Sequence, residues 1–334
     1  MPKISVTIAT FNRQNLLQKV LDALSFQSVP ANTFDVIVCD SESTDGTAEM
    51  MKNYKSLMPY RLEYHHTSNI LAAKRNLGIS KSTSDFVVFL DDDCIPSHNF
   101  VETHLDSCLR TMGERVIYCG EVRYPAEWIN KSNYYRFRDS RHFGFKAGVK
   151  RLEYLDYRTI VVMNMCFERG LFLKHIGSVN ESFIGYGAED QDLGWRLQEA
   201  GYRLRPNSAK IIHFETTSSI RQYGEKIKRS SRDGMTTLLR VNRPAALGIM
   251  ALKKLDAEFP NRSVLDRMTR ILILIGLRFR LNRPLELLLE QTDGCPLLYS
   301  SKLYRILMGI YYVQGSIDRD NRLTVEESTA GWYR

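Results

Sequence analysis

Two short groups of carboxylates stand out in the sequence: Asp91, Asp92 and Asp93 in "FVVFLDDDCIP", and Glu189, Asp190 and Asp192 in "GYGAEDQDLGWRL". Adjacent anions repel, and the apolar run before the first group gives them nothing in return. In an extended strand side chains alternate faces, so Asp91 and Asp93 point one way and Asp92 the other. Two carboxylates on one side form a hard-oxygen site for a divalent cation, Mg²⁺ or Mn²⁺ rather than zinc. The bland alternative is an Asp-rich turn after a strand. The second group opens a predicted helix, where the dipole and the free N–H groups favour negative charge. Capping accounts comfortably for one of its three acids. On a helical wheel Leu193, Leu197 and Ala200 share a face that Glu189 and Asp190 both border, while Asp192 lies about a quarter-turn farther round. Two acids can therefore lean inward, and periodicity does not choose between them. Gly185 and Gly187 permit a tight or left-handed turn into that helix.

The elements that must position these groups follow from the pattern around them. Short β-branched runs, "ISVTIATF", "FDVIVCDS", "RLEYHH" and "DFVVFLDD", alternate with helical spacings at Leu16 to Leu24, after Thr44, and from Ile70 to Ile79. This is an α/β arrangement, a doubly wound sheet covered by helices, whose ligands bind beyond the carboxyl ends of the strands. A helix over 97–112 and a strand "RVIYCGEVRY" come next, then an aromatic stretch from Pro125 to Tyr157 with little periodicity, expected to form mobile loops over a substrate. Order returns with a strand "TIVVMNMCF", a helix "RGLFLKHIG", the second acidic group, and a strand pair in "YRLRPNSAKIIHF". Beyond about Tyr223 strand patterns stop, and "SVLDRMTRILILIGLRFRL" and "PLELLLEQ" read as helices. The expected organisation is a catalytic unit over 1–223, divided into halves at 1–95 and 96–223, and a helical region over 224–334.

At 43% hydrophobic and 25% charged over 334 residues, the composition is that of globular protein with room for one large domain or two smaller ones. Six scattered cysteines include no CxxC pair, so neither a zinc site nor a disulfide framework is indicated, and reduced, mostly buried thiols are expected. The opening residues lack the pattern of a secretory leader, which gives the expectation of a cytoplasmic location. The longest apolar run, "ILILIGL", falls short of the roughly 18 to 20 residues that span a bilayer. A net charge of +8 suits nucleic acid, a phosphate-bearing substrate or an anionic lipid surface alike. Nucleic acid is disfavoured by the acidic centre and by the lack of a basic stripe with interleaved aromatics.

Taken together and in order, "VTIATFNR", "VIVCDSESTDGT", "AAKRNLGI", "FLDDDCIP" and "GYGAEDQDLGWRL" resemble the nucleotide-sugar-dependent glycosyltransferases of family 2, over about Ile4 to Phe214. The resemblance implies a GT-A fold and an inverting transfer from a nucleotide-sugar donor, a UDP-sugar by preference, to a glycan or lipid-linked acceptor, as in bacterial surface polysaccharide synthesis. It implies donor contacts from Thr10, Asn12, Arg13, Asp40, Arg75, Asp91 and Asp92. The family's "DDGSTDGT" stands here as "CDSESTDGT", with Ser41 in place of the second acid. Mn²⁺ or Mg²⁺ would be held by Asp91, Asp93 and His213, while Asp190 would serve as general base and Glu189 would hold the acceptor. On helical pattern alone Arg75 is a surface residue, and His213 a hydrogen-bonded strand end. Nucleotidyltransfer is the rival chemistry, but "ATFNRQN" has no glycine for a phosphate loop. A catalytically inactive sugar-nucleotide-binding module is the other alternative, and it would have little need of two acidic groups. The QxxRW motif and membrane helices of processive synthases are missing from the sequence, which points to a distributive enzyme. In the last third, the apolar stripe flanked by Arg267, Arg270, Arg278, Arg280 and Arg283 fits either packing on the catalytic domain or a second subunit, with the arginines solvated, or contact with a membrane face.

Overall fold

The β-branched runs lie side by side in one eight-stranded mixed sheet, of order β3-β2-β1-β4-β7-β6-β8-β5. The computed structural model describes residues 2–141, 154–215, 219–256, 259 and 263–318. Its first half runs β1 (Ile4–Thr10), α1 (Gln14–Leu24), β2 (Phe34–Asp40), α2 (Thr47–Leu57), β3 (Arg61–His66), α3 (Leu71–Lys81) and β4 (Phe86–Asp91). These four strands are mutually parallel. Every residue of β2 is buried, as expected of a parallel strand covered by helices on both faces. Because β1 lies between β2 and β4, the winding reverses beside it, and the register sets Thr10 against Asp40 and Ala9 against Asp91. The carboxyl ends thus lie flush at the switch point where such sheets bind ligands. Gly78 of α3 lies against Thr7, where a Cβ would fall 2.8 Å from the threonine Cβ. This close approach brings Lys74 and Arg75 beneath the strand ends.

The second half contains β5 (Cys94–Pro96), α4 (Phe100–Leu109), β6 (Val116–Arg123), α5 (Ala126–Lys131), α6 (Asn133–Asp139), β7 (Asn164–Glu168), α7 (Arg169–His175), α8 (Glu189–Glu199) and β8 (Arg203–His213). Strand β7 runs antiparallel to β4 and β6, while β8 pairs parallel with β6 and antiparallel with β5. Buried Asn164 ties these strands together: its amide nitrogen donates to the carbonyls of Glu121 (3.2 Å) and Ala209 (2.9 Å), and its Oδ1 accepts from His104 Nε2 at 2.7 Å. All six cysteines are free, five of them buried.

Several expected boundaries shift. The strand expected from Thr159 begins at Asn164, since 157–159 form a 3-10 turn, and the expected strand pair at 202–214 is the single strand β8. The expected loops after Pro125 include the helices α5 and α6, and α6 packs its aromatic side chains on the C-terminal helices, with Phe137 stacked on Tyr304 at 4.9 Å. Residues 142–153 of that stretch lie outside the described residues. The helical region is present as expected: α9 (Ile220–Arg229), a π-helical turn (Ser230–Gly234), α10 (Met235–Val241), α11 (Arg243–Leu247), α12 (Met250–Leu255), α13 (Val264–Arg278), α14 (Asn282–Gln291) and α15 (Ser301–Ile317). The boundary expected at Tyr223 falls inside α9. Two apolar clusters join this region to the rest, one around Tyr157, Phe183 and Leu238, the other around Tyr134, Phe137 and Leu307.

Candidate active site

Strand β4 ends at Asp91, and Asp92 and Asp93 belong to the turn into β5. Strand alternation therefore stops one residue earlier than the sequence reading assumed. Asp92 is buried, accepts a hydrogen bond from Thr10 Oγ1 (2.8 Å) and pairs with Arg13 Nη1 at 3.1 Å. The same guanidinium nitrogen reaches Asp93 at 2.7 Å, and His213 Nε2 lies 3.4 Å from that carboxylate. Burial opposes the charge on Asp93, but His213 and Arg13 outweigh it and hold its carboxyl well below the usual range. Asp92 shifts the other way, because burial exceeds the help it receives from Arg13.

The second acidic group faces the first across one cleft of about 380 Å³. The turn that delivers it has two successive left-handed residues, Gly187 (φ +88°) and Ala188 (φ +70°), the latter capping α8. Glu189 and Asp190 both line the cleft. Asp192 does not: it is buried against Arg196 at 3.0 Å and accepts from Asn242 at 2.8 Å, a structural role. Burial raises the carboxyls of both Glu189 and Asp190, their mutual charge adding to the first and Arg75 countering both. Glu189 Oε2 is buried with no hydrogen-bond partner among the described residues. Arg75 links the two groups, its guanidinium nitrogens lying 3.5 Å from Asp91 and 3.5 Å from Asp190. At 5% exposure it is no surface residue.

Not every residue expected at the donor site reaches the cleft. Asp40 is fully buried and accepts from Ser43 (2.6 Å) and Tyr64 (2.6 Å), which fixes the loop after β2. Asn12, at φ +52°, uses its side chain to cap Thr44 N at 2.7 Å. Thr10 spends its hydroxyl on Asp92. Arg13, Arg75, Asp91, Asp92, Asp93 and His213 do line the cleft. Asn164 does not line the cleft and serves as the sheet latch described above.

Sequence reasoning missed the far wall. There Glu215 pairs with Arg138 (2.8 Å) and with Lys226, and Arg138 lies over the Tyr223 ring at 4.0 Å. Only the position of Glu215, two residues past the last strand, could have drawn attention to it. Buried Lys74 was also missed. Its ammonium donates to Thr10 O at 2.9 Å and bonds Asn69 Oδ1 at 3.0 Å, and burial pulls its pKa down to about 8 against the charges of Asp92 and Asp40.

The donor set suits a hard divalent cation. Asp93, Cys94 and His213 present ligand atoms within 4.8 Å of one another. Burial first, and then the neighbouring aspartates, keep the Cys94 thiol protonated, which leaves the Asp93 carboxylate and the His213 imidazole as the donors for a divalent cation.

A family model described as Glycosyl transferase family 2 matches residues 5–174, just over half of the chain. Among similar proteins, "Glycosyltransferase AglE" of Haloferax volcanii is 26% identical over 70% of this chain and 72% of its own length. "Validoxylamine A glucosyltransferase" of Streptomyces hygroscopicus is 26% identical over 60% of this chain, which spans only 49% of that relative. Among solved structures, the mannosyltransferase PcManGT of Pyrobaculum calidifontis, in complex with GDP-Man and Mn²⁺, superposes with a TM-score of 0.59 at 18% identity, over 95% of this chain and 87% of that one. The fold is thus that of the GT-A glycosyltransferases.

Proposed function

Since the chain belongs to glycosyl transferase family 2 and is a glycosyltransferase, we propose that it moves a hexosyl or N-acetylhexosaminyl group, with inversion, from a nucleotide-sugar to a hydroxyl of a glycan or lipid-linked acceptor. One observation carries this reading: the cation-binding acids and the Glu189–Asp190 pair line one cleft, held in register by Arg75. Asp190 takes the proton from the acceptor hydroxyl as its oxygen attacks the anomeric carbon; a carboxyl raised by burial is a better base near neutral pH than an ordinary one. Glu189, raised further and unpartnered at Oε2, holds the acceptor. Arg75 keeps Asp190 oriented and counters the upward shift that burial gives the Asp91 carboxyl. Asp91, Asp93 and His213 would hold Mn²⁺ or Mg²⁺, which when bound neutralises charge on the leaving diphosphate. Residues 1–95 carry the donor side and 96–223 the acceptor side, with Asp40 and Asn12 shaping the loop over the nucleotide. Surface polysaccharide assembly is the setting we propose. A UDP-sugar is the proposed donor, and GDP-mannose, the ligand of PcManGT, is its first competitor. The test measures free nucleotide released from a panel of sugar nucleotides with Mn²⁺ and a mixed glycan and lipid-linked acceptor pool. Acceptor-dependent release from one nucleotide class is expected; release from none of them, with sugar nucleotide nevertheless bound, would favour an inactive binding module.

A further inference from the structure

Helix α13 turns its apolar side outward. Steps of 100° place Val264, Met268, Ile271, Leu272 and Ile275 on one face, and that face is open: Val264 is 73% exposed, Leu272 66% and Ile275 47%. The other side meets α12 and α15, and the helix's one buried residue is Gly276. Phe279, at 71% exposure, and Leu281 continue the apolar surface into the bend before α14. Of the alternatives the sequence leaves open, this exposed face leaves a second subunit or a membrane face as its cover.

The charges around this face say what covers it. Residues 263–283 contain five arginines and one aspartate. Arg270 points inward, donating to Leu255 O and to Ser316 Oγ at 3.0 Å, but Arg267, Arg278, Arg280 and Arg283 are exposed. A two-fold contact with a second copy would set this patch against itself and bring arginine to arginine, a costly juxtaposition. Anionic lipid headgroups answer both the apolar face and its basic border. Among the described residues no helix is long and apolar enough to cross a membrane, so the contact would lie in the interface plane. We propose that α13 and the bend that follows it bind an anionic lipid surface. This stands whatever the acceptor is.

The test uses the full chain with vesicles of phosphatidylcholine, alone or mixed with phosphatidylglycerol, read by co-sedimentation. Binding is expected to the mixed vesicles only, and to be reversed by about 0.5 M salt, where screening is strong. The double substitution Met268→Gln with Ile275→Gln should reduce the bound fraction roughly tenfold, and Arg278→Glu with Arg280→Glu should do the same. Both pairs are exposed, so thermal melting should stay at the wild-type value. A chain that stays in the supernatant, or a glutamine variant that pellets like wild type, would overturn the proposal. So would a glutamine variant that melts early or that converts a dimer to a monomer in sedimentation velocity, for then protein covers the face. Nucleotide release is read separately, so failure here leaves the transfer reading untouched.

Discussion

Replacing Gly234 with alanine tests whether the C-terminal region sets the geometry of the acidic turn. A Cβ at Gly234 would sit 2.0 Å from Gly187 O, 2.5 Å from its carbonyl carbon and 2.7 Å from Tyr186 O. All three are backbone atoms, which cannot rotate away. Carbon-to-oxygen contacts normally close at about 3.3–3.6 Å, so the two segments must part by roughly 1.3 Å. Overpacking of this kind costs about 1–3 kcal/mol. Up to about 1 kcal/mol returns because alanine favours a helix over glycine, leaving a modest net loss. The effect on rate should be larger. Gly187 lies three residues before Asp190, and a displacement near 1 Å in a catalytic group costs on the order of 10²-fold. With part of the shift absorbed in the left-handed pair Gly187–Ala188, Gly234→Ala should lower kcat about 10- to 100-fold. The donor KM should change little, since the first acidic group is on another element. Gly309→Ala is the control: its nearest atoms would be 3.7 and 4.0 Å away, and it should keep full activity. Steady-state kinetics and thermal melts of both variants decide the matter. If Gly234→Ala matches wild type in kcat and melting, the π-helical turn does not clamp the acidic loop, and the coupling argued here is wrong.

Other outcomes follow from the same geometry. Asp190→Asn should retain donor binding, read by calorimetry, yet lose roughly two to four orders of magnitude in turnover; a deeper loss in Glu189→Gln would move the base by one residue. Because Asp190 works ionised and its pKa lies above the ordinary 3.8, kcat/KM of wild type should climb with pH through a limb above the usual carboxylate range and then level off, and a flat profile on the acid side would contradict that role. Excess chelator should stop transfer and Mn²⁺ or Mg²⁺ restore it, while Asp93→Asn should weaken Mn²⁺ binding measured by electron paramagnetic resonance. Full transfer in excess chelator would remove the cation from the reaction.

Much of the sheet was legible because β1, β2 and β4 are central strands buried on both faces, and such strands read as continuous β-branched runs. β3 could be bounded to the residue because Met58–Pro59 and Thr67–Ser68 punctuate it. The second half was harder. Helices α5 and α6 are too short for their period to emerge from the aromatic stretch, and α6 exists by packing on α15, more than 160 residues away. Asn164 was legible as a strand residue, but nothing local reveals that its partners are Glu121, Ala209 and His104. At the site, the acids were visible as residue types, but their partners were not. That Arg13 reaches Asp92 and Asp93, and that Arg75 spans both acidic groups, depends on the winding of the sheet rather than on spacing along the chain.

The arginine arrangement at the strand ends bears on how the protein acquires its cation. A buried bare carboxylate costs several kcal/mol, and three together would make folding wait for a metal, as it does in small zinc domains. Here Arg13 and Arg75 already supply positive charge to Asp91, Asp92 and Asp93. On the proposed reading folding need not wait for a metal: the chain can be made and stored in a cell short of the cation, which would then exchange with the medium as a reagent does. Its entry displaces part of an existing ion pair instead of filling a charge deficit, which favours modest affinity and fast release. On the proposed reading, an enzyme built this way would follow the free cation level around it from moment to moment, and chelation should stop transfer while lowering the melting temperature only slightly.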